Sequence, residues 1–342
     1  GNIAQANDIR NNSLYGVYVL SASGNSVVGN TVTSNGFVGV FIDGATADGN
    51  RVVGKSLNGG NNGSSGINIA NGDANILTNN RVAHYGDGIR VQFTAASNGI
   101  VGNQVVSNTG AGLYVDALGG EFMNVFLRNI VWDNATFGAQ LAGGTNSVFL
   151  NNVFYGQGGA GVRVGAASGS NDFINNIVFS NGGVGFTNAG LQTYVANNLF
   201  YGNAVSNFVN TGTYNGAWFG GFDPAFSNAA AGNFRLTAGS PAVDAGTTNG
   251  LGNFDATPVI GFARDQGAYE SSFQGPTNRY YVNDAFTAGD VYTFIAGNDA
   301  YNGRTPYSPK RTLTNLLSVY DLDPGDTVFI DAGTNAYGTR FN

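Results

Sequence analysis

The chain has 342 residues, 42% of them apolar and only 10% charged, with a net charge of −7. That balance excludes intrinsic disorder, and with Lys55 and Lys310 as the only lysines it excludes the clustered cations that nucleic acid requires. No run reaches the ~20 apolar residues of a membrane helix, and the absence of cysteine removes disulfides and thiolate metal sites. The chain opens on Gly1 with no signal peptide ahead of it, as a mature or excised piece would.

From the first residues onward, short β-branched runs alternate with Asn and Gly. Taking Asn30 in "GNTVTSN" as a landmark, equivalent positions fall at Asn7, Asn50, Asn80, Asn103, Asn129, Asn152, Asn176 and Asn198. The spacings are 23, 20, 30, 23, 26, 23, 24 and 22, and the long interval holds the polar, glycine-rich "GKSLNGGNNGSSG" (54–66), read as a loop insertion. Two residues after each landmark stands an apolar residue, and three before it another, with Ala4 and Ala47 as small exceptions. About nine residues on, a glycine opens a third strand bearing pairs such as Val40/Ile42 and Ile89/Val91. One unit of this kind cannot bury its own apolar face, so stacked copies are required. The expected fold is all-β: a parallel β-helix, a three-faced solenoid of about nine coils and roughly 40 Å, over residues 1–210. Asn at the corners tolerates left-handed backbone and can ladder along the axis.

After residue 210 the repeat fades. A segment at 211–270 is expected to pack on the solenoid, 271–279 reads as a linker with Gly-Pro punctuation, and 280–342 follows as a separate unit. Within that unit Ser308 is placed as an N-cap with Pro309 in the first turn, and Leu313, Leu316, Leu317 and Tyr320 form one apolar helix stripe. Such a helix suits the open end of a solenoid; left alone it would expose its stripe.

Candidate contact surfaces come next. The outward column of the third strand reads Tyr18, Phe41, Asn68, Arg90, Tyr114, Gln140, Arg163, Thr187. Its rings and guanidinium groups could stack on and hydrogen-bond to a saccharide; an ordinary solvated strand face is the alternative. On the second strand the outward residues are polar in early coils but become Ile130/Trp132, Val153/Tyr155, Ile177/Phe179 and Leu199/Tyr201. Such a stripe must be covered, either by the chain's own 205–270 segment, the simpler expectation, or by a neighbouring molecule meeting Trp132, Tyr155, Phe179 and Tyr201.

The acidic residues of the body (Asp8, Asp43, Asp48, Asp73, Asp87, Asp116, Glu121, Asp133 and Asp172) are spread over different coils, so no convergent acid–base site is expected. Arg90 with Asp87 or Asp116 is the one pairing that could act catalytically. His84, alone and without cysteine, reads as a corner residue. "GNDAYNG" (297–303) carries Asp299, which could hold Ca²⁺ or simply serve a hydrogen-bonded turn.

The columns together resemble the right-handed parallel β-helix proteins of the pectin-lyase-like superfamily. "FDPAF", "LTAGSPAVDAG" and "RDQGAYE" resemble the closing elements of secreted bacterial members, and "GNDAYNGRTPYSPKRTL" resembles their opening element. The order body, end, beginning implies one unit of a tandem array. The resemblance therefore implies an extracellular or cell-surface structural module or filament, with copies of itself as head-to-tail partners. Because proteins of this superfamily often act on polysaccharides, a polysaccharide-binding β-helix, or a lyase or glycoside hydrolase, is the alternative the resemblance implies.

Overall fold

In the computed structural model, residues 1–54, 56–61, 63–117, 123–216, 219–247, 258–260, 263–272, 279–320, 322 and 326–331 are described. Three parallel sheets wrap around one core. The first runs from Ile3–Gln5 to Tyr214–Asn215 and the second from Asp8–Arg10 to Phe219–Gly220, ten strands each among the described residues. The third has nine strands, from Tyr15–Leu20 to Ser206–Asn210. Most strands are three to six residues long, because each crosses one narrow face before the chain must turn. The expected solenoid of about nine coils is what forms.

The inward columns follow the sequence pattern. In the first sheet Leu77, Ile100, Phe126, Phe149, Phe173 and Val195 stack in register, each almost wholly buried. In the second, Val82, Val105, Val131, Phe154, Val178 and Phe200 do the same.

The register corrects one assignment. Arg51–Val53 pairs with Ser26–Val28 and Ile76–Thr78 in the first sheet, so Asn50 belongs with Asn25 and Asn75 and not with Asn30. The coil between Asn30 and Asn80 instead continues through Ser56–Asn58, whose Leu57 is buried between Val32 and Val82. The stretch 54–66 is thus a coil segment rather than an inserted loop, although residues 55 and 62 lie outside the described residues. Both corners carry Asn followed two residues later by an apolar residue, and in the sequence Lys55, not Asn, precedes the strand Ser56–Asn58. That is why the sequence pattern slipped by one strand.

The corner asparagines form three ladders. Asn103 is typical: its Oδ1 accepts from the backbone N–H (3.0 Å) and Nδ2 (2.9 Å) of Asn80. Its Nδ2 donates to Leu77 O (2.9 Å) and Asn129 Oδ1 (3.0 Å). Four bonds saturate a buried amide, and only a side chain with both a donor and an acceptor can sit there. In the third ladder Tyr85 replaces an Asn, and its ring turns into the core with its hydroxyl held well above the usual phenol value by burial. Room for that ring comes from Gly63, where a Cβ would lie 2.5 Å from Tyr85 Cδ1. His84 does sit at a corner, at φ +59°.

The segment after the solenoid folds over the second sheet. Phe226–Asn228 pairs antiparallel with Asn233–Leu236, and Phe234, Leu236, Ala242, Val243 and Ala268 are buried against Ile130, Val153, Ile177 and Leu199. Trp132, Tyr155 and Phe179 are partly buried in the same cluster, and Phe179 stacks on Tyr201 at 5.8 Å. The apolar stripe is therefore covered from within the chain, and these four aromatic residues have intramolecular partners.

Most of the linker, 273–278, and the stretch 332–342 lie outside the described residues. In between, Arg279–Val282 pairs in parallel with Thr327–Ile330, the chain crossing over through the helix Leu313–Val319. The helix starts later than expected. Thr312 is its N-cap, accepting from Asn315 N, while Ser308 bonds to Asn302 and Thr305 within a turn. Nor is its stripe left bare: Leu313 and Leu316 are buried against Tyr280 and Val282, with Leu317 and Tyr320 packed alongside. The unit also meets its own chain, since Arg279 donates to Pro241 O and Phe294 packs on the cover cluster.

Candidate functional site: the outer face of the third sheet

The third sheet presents its predicted column in register: Tyr18 beside Phe41, Asn68 beside Arg90, Arg90 beside Tyr114, then Gln140, Arg163 and Thr187. In the first two coils the rings form a platform. Tyr18 stacks on Phe41 with centroids 5.3 Å apart and an interplanar angle of 14°, Tyr15 sits 4.8 Å from Tyr18, and Phe37 lies against Tyr15. Tyr18 is 42% exposed and its hydroxyl donates to Asp43 at 3.0 Å. Pattern reading missed Tyr15 and Phe37; the signal available was an aromatic just ahead of the column glycine.

Two coils on, four polar groups converge. The Arg90 guanidinium lies 4.7 Å from the Tyr114 ring centre and its Nε is 3.6 Å from Asp87 Oδ2. Asp87 also accepts from Ala111 N at 2.9 Å, and burial still holds its carboxyl above the usual carboxylate range. Tyr114 is raised by burial and then by the nearby Asp116. Further along, Arg163 lies over Phe137 at 5.4 Å. The structure thus gathers Arg90, Asp87, Tyr114 and Asp116 in one patch. Two other acids serve the coil stack instead, Asp48 accepting from Asp73 N and Asp73 from Ala96 N, while Asp8 pairs with Arg10 within its own strand. Glu121 lies outside the described residues.

Away from this face, the closing motifs act as a clasp. Ser240 Oγ donates to Pro224 O, Asp265 Oδ1 accepts from Asp244 N, and Asn151 Nδ2 donates to Asp265 O and Gly267 O. Glu270 meets Arg128 at 3.9 Å. Burial, then repulsion from Asp265, pushes the Glu270 carboxyl up to about 7, against the opposing pull of Arg128 and Arg264. A folded-state value above the unfolded one means that the clasp is favoured below pH 4.5 and that this contribution is lost as pH rises through about 7. Thermal unfolding followed between pH 4.5 and 7.5 is expected to show a loss of about 2 kcal/mol that Glu270→Gln removes. A flat wild-type profile would refute this.

Asp299 is engaged at the start of the helix. Its Oδ1 accepts from Arg311 N and Thr312 N, both at 3.0 Å, which is the turn role foreseen as the alternative to Ca²⁺. Among the described residues no group of three or more His, Cys, Asp or Glu is placed to hold a metal, and no helix is long and apolar enough to cross a membrane.

The family described as right handed beta helix region matches residues 1–124 and 61–205, more than half of the chain. The chain belongs to this right-handed β-helix family. Among solved structures it is similar to pectate lyase Pel9A, with a TM-score of 0.56 at 18% identity over 75% of this chain and 73% of that one. A point mutant of the periplasmic alginate epimerase AlgG gives 0.48 at 15% identity, over 57% and 50%. Alginate lyase from Paenibacillus sp. str. FPU-7 gives 0.39 at 11%, over 63% and 95%. At 18% identity the likeness to pectate lyase Pel9A is one of fold. No curated protein sequence matches the chain.

Proposed function

We propose that this β-helix is an extracytoplasmic polysaccharide-binding protein and that the outer face of its third sheet is the saccharide-contacting surface. The observation that carries the reading is the Tyr15–Tyr18–Phe41 ring platform, with Tyr18 exposed and its neighbours half-buried, followed along the same strand face by the Arg90–Tyr114 pair. Successive coils rise by about 4.8 Å, close to the length of one pyranose residue, so a chain lying along the axis meets one column residue per sugar. Flat rings offer stacking surfaces for the C–H faces of sugars, and Arg90 offers donors to hydroxyl or carboxylate oxygens. Binding is favoured over cleavage because Asp87 is already engaged by Ala111 N–H and Arg90. The polysaccharide-acting neighbours of the same fold fit this reading.

The test is titration calorimetry against a panel of neutral and uronate oligosaccharides. Tyr18→Ala and Arg90→Ala are each expected to weaken binding about tenfold, in line with the loss of one stacking or charged contact. Unchanged affinity in both variants, or no binding across the panel, would overturn the reading. A second reading is a structural module joining end to end. The first and last strands of the three sheets leave their outer ladder edges unpaired within the described chain, which supports it. Concentration-dependent polymers in sedimentation velocity are its expected mark, and a strict monomer would exclude it.

A further inference from the structure

The unit at 279–331 holds a group of buried oxygens for which the fold offers no hydrogen. Asn283 follows the strand Arg279–Val282 and is fully buried, and Asp284 is 4% exposed. Between Asp284 and Asp290 the chain loops out and back, with Gly289 at φ +90° in a conformation that side chains resist. The loop is closed by Asn283 Nδ2, which donates to Asp290 Oδ2 at 2.6 Å and to Ile295 O at 2.9 Å. Asp284 Oδ1 accepts from Phe286 N at 2.7 Å. The other oxygen of each side chain (Asn283 Oδ1, Asp284 Oδ2 and Asp290 Oδ1) is buried with no hydrogen-bond donor.

The electrostatics point the same way. Asp331 and Asp284 are the charged neighbours of Asp290, and among the described residues no Arg or Lys faces it; only the Asn283 amide meets it. Asp331 is itself turned away, its carboxylate held by the N–H groups of Val291, Tyr292 and Thr293. Two carboxylates and an amide, with Asn283 bonded to Asp290 and one buried oxygen of each side chain left without a donor, are costly unless a cation neutralises them. All three donors are hard oxygens, which excludes soft metals. A flexible loop with amide and carboxylate ligands suits Ca²⁺ better than Mg²⁺, which demands a tight octahedron and keeps its waters.

We infer that Asn283, Asp284 and Asp290 form a Ca²⁺ site that fastens the 284–290 loop to the parallel strand pair Arg279–Val282 and Thr327–Ile330. Asp299, the carboxylate singled out in sequence, is not a ligand. The site is independent of saccharide binding on the third sheet.

The experiment uses the full chain stripped of divalent ions with chelator. Calorimetric titration with CaCl₂ is expected to show one site, while MgCl₂ at equal concentration gives none. Tb³⁺ should bind in its place and luminesce on tyrosine excitation, since Tyr292 lies beside the Asp331 end of the loop. Hydrogen exchange at residues 284–295 should slow on adding Ca²⁺ while the solenoid coils stay unchanged. Asp290→Asn and Asp284→Asn keep the shape and remove charge, and each is expected to raise the Ca²⁺ dissociation constant at least tenfold. Asp299→Asn should leave it unchanged. Absence of calcium heat and of protection in the wild-type chain would overturn the inference, as would full binding by Asp290→Asn. A loop in which the three oxygens are merely hydrated gives the first of those results.

Discussion

Replacing Asn103 by Asp is expected to destabilise the solenoid by about 3–5 kcal/mol at neutral pH. The two side chains have nearly the same shape, so packing is not the cause. Asn103 Nδ2 donates to Leu77 O and Asn129 Oδ1, and an aspartate would present a second oxygen to both acceptors. The position is fully buried, so water cannot relieve the conflict. The introduced carboxyl should titrate above its ordinary range, because protonation restores one donor and removes the charge. By the sign of linkage, a raised folded-state value makes the variant recover as pH falls and worsen as pH rises. Urea unfolding at pH 4 and pH 7.5 reads both effects. A loss below about 1 kcal/mol at pH 7.5, or a loss independent of pH, would show that the ladder contributes little.

Truncating Phe149 to Ala is the second large effect. Its ring is sandwiched between Phe126 at 4.4 Å and Phe173 at 4.7 Å, both nearly parallel to it, and is fully buried. Removing a ring of this kind costs about 3–5 kcal/mol, through lost burial and the cavity left behind. In a stacked array each coil touches only its neighbours, so the damage falls on the coupling between two halves. Calorimetry is expected to resolve two transitions where the wild type shows one. Phe149→Leu should keep most of the coupling. A single transition shifted by less than a degree in Phe149→Ala would contradict this account.

The solenoid was legible in sequence because its constraints repeat. Each inward column position must be apolar and each ladder position must both donate and accept, so the same residue types recur at one coil's spacing. The reading failed where one copy departs. At Lys55 the landmark is missing, and Asn50 from the other corner filled its place with a similar apolar neighbour. The outward column from Tyr18 to Thr187 was readable once the inward one was fixed, because strand side chains alternate. Which column residues meet was not readable: Arg90 over Tyr114 depends on rotamers, and Phe137 under Arg163 comes from a turn.

The closing and opening segments carry no repeat, so only their motif resemblance marked them. Ser308–Pro309 has the look of a helix start, yet Asp299 reaches across to hold Arg311 N and Thr312 N and moves the start to Leu313. A contact between residues twelve positions apart overrode a local preference. The oxygens of Asn283, Asp284 and Asp290 gave no spacing signal at all, since what sets them apart is the lack of donors around them.

The asparagine ladders also give the rod a direction. Along the second-corner ladder the amide Nδ2 of one coil points to the Oδ1 of the next, from Asn80 to Asn103 to Asn129 to Asn152 to Asn176 to Asn198, without reversal. Side-chain dipoles aligned in this way add rather than cancel, so the rod behaves as an electret with an oxygen-rich pole at its first coil and an N–H-rich pole at its last. In an applied electric field, dilute molecules should align with their long axes parallel to it and all in the same sense.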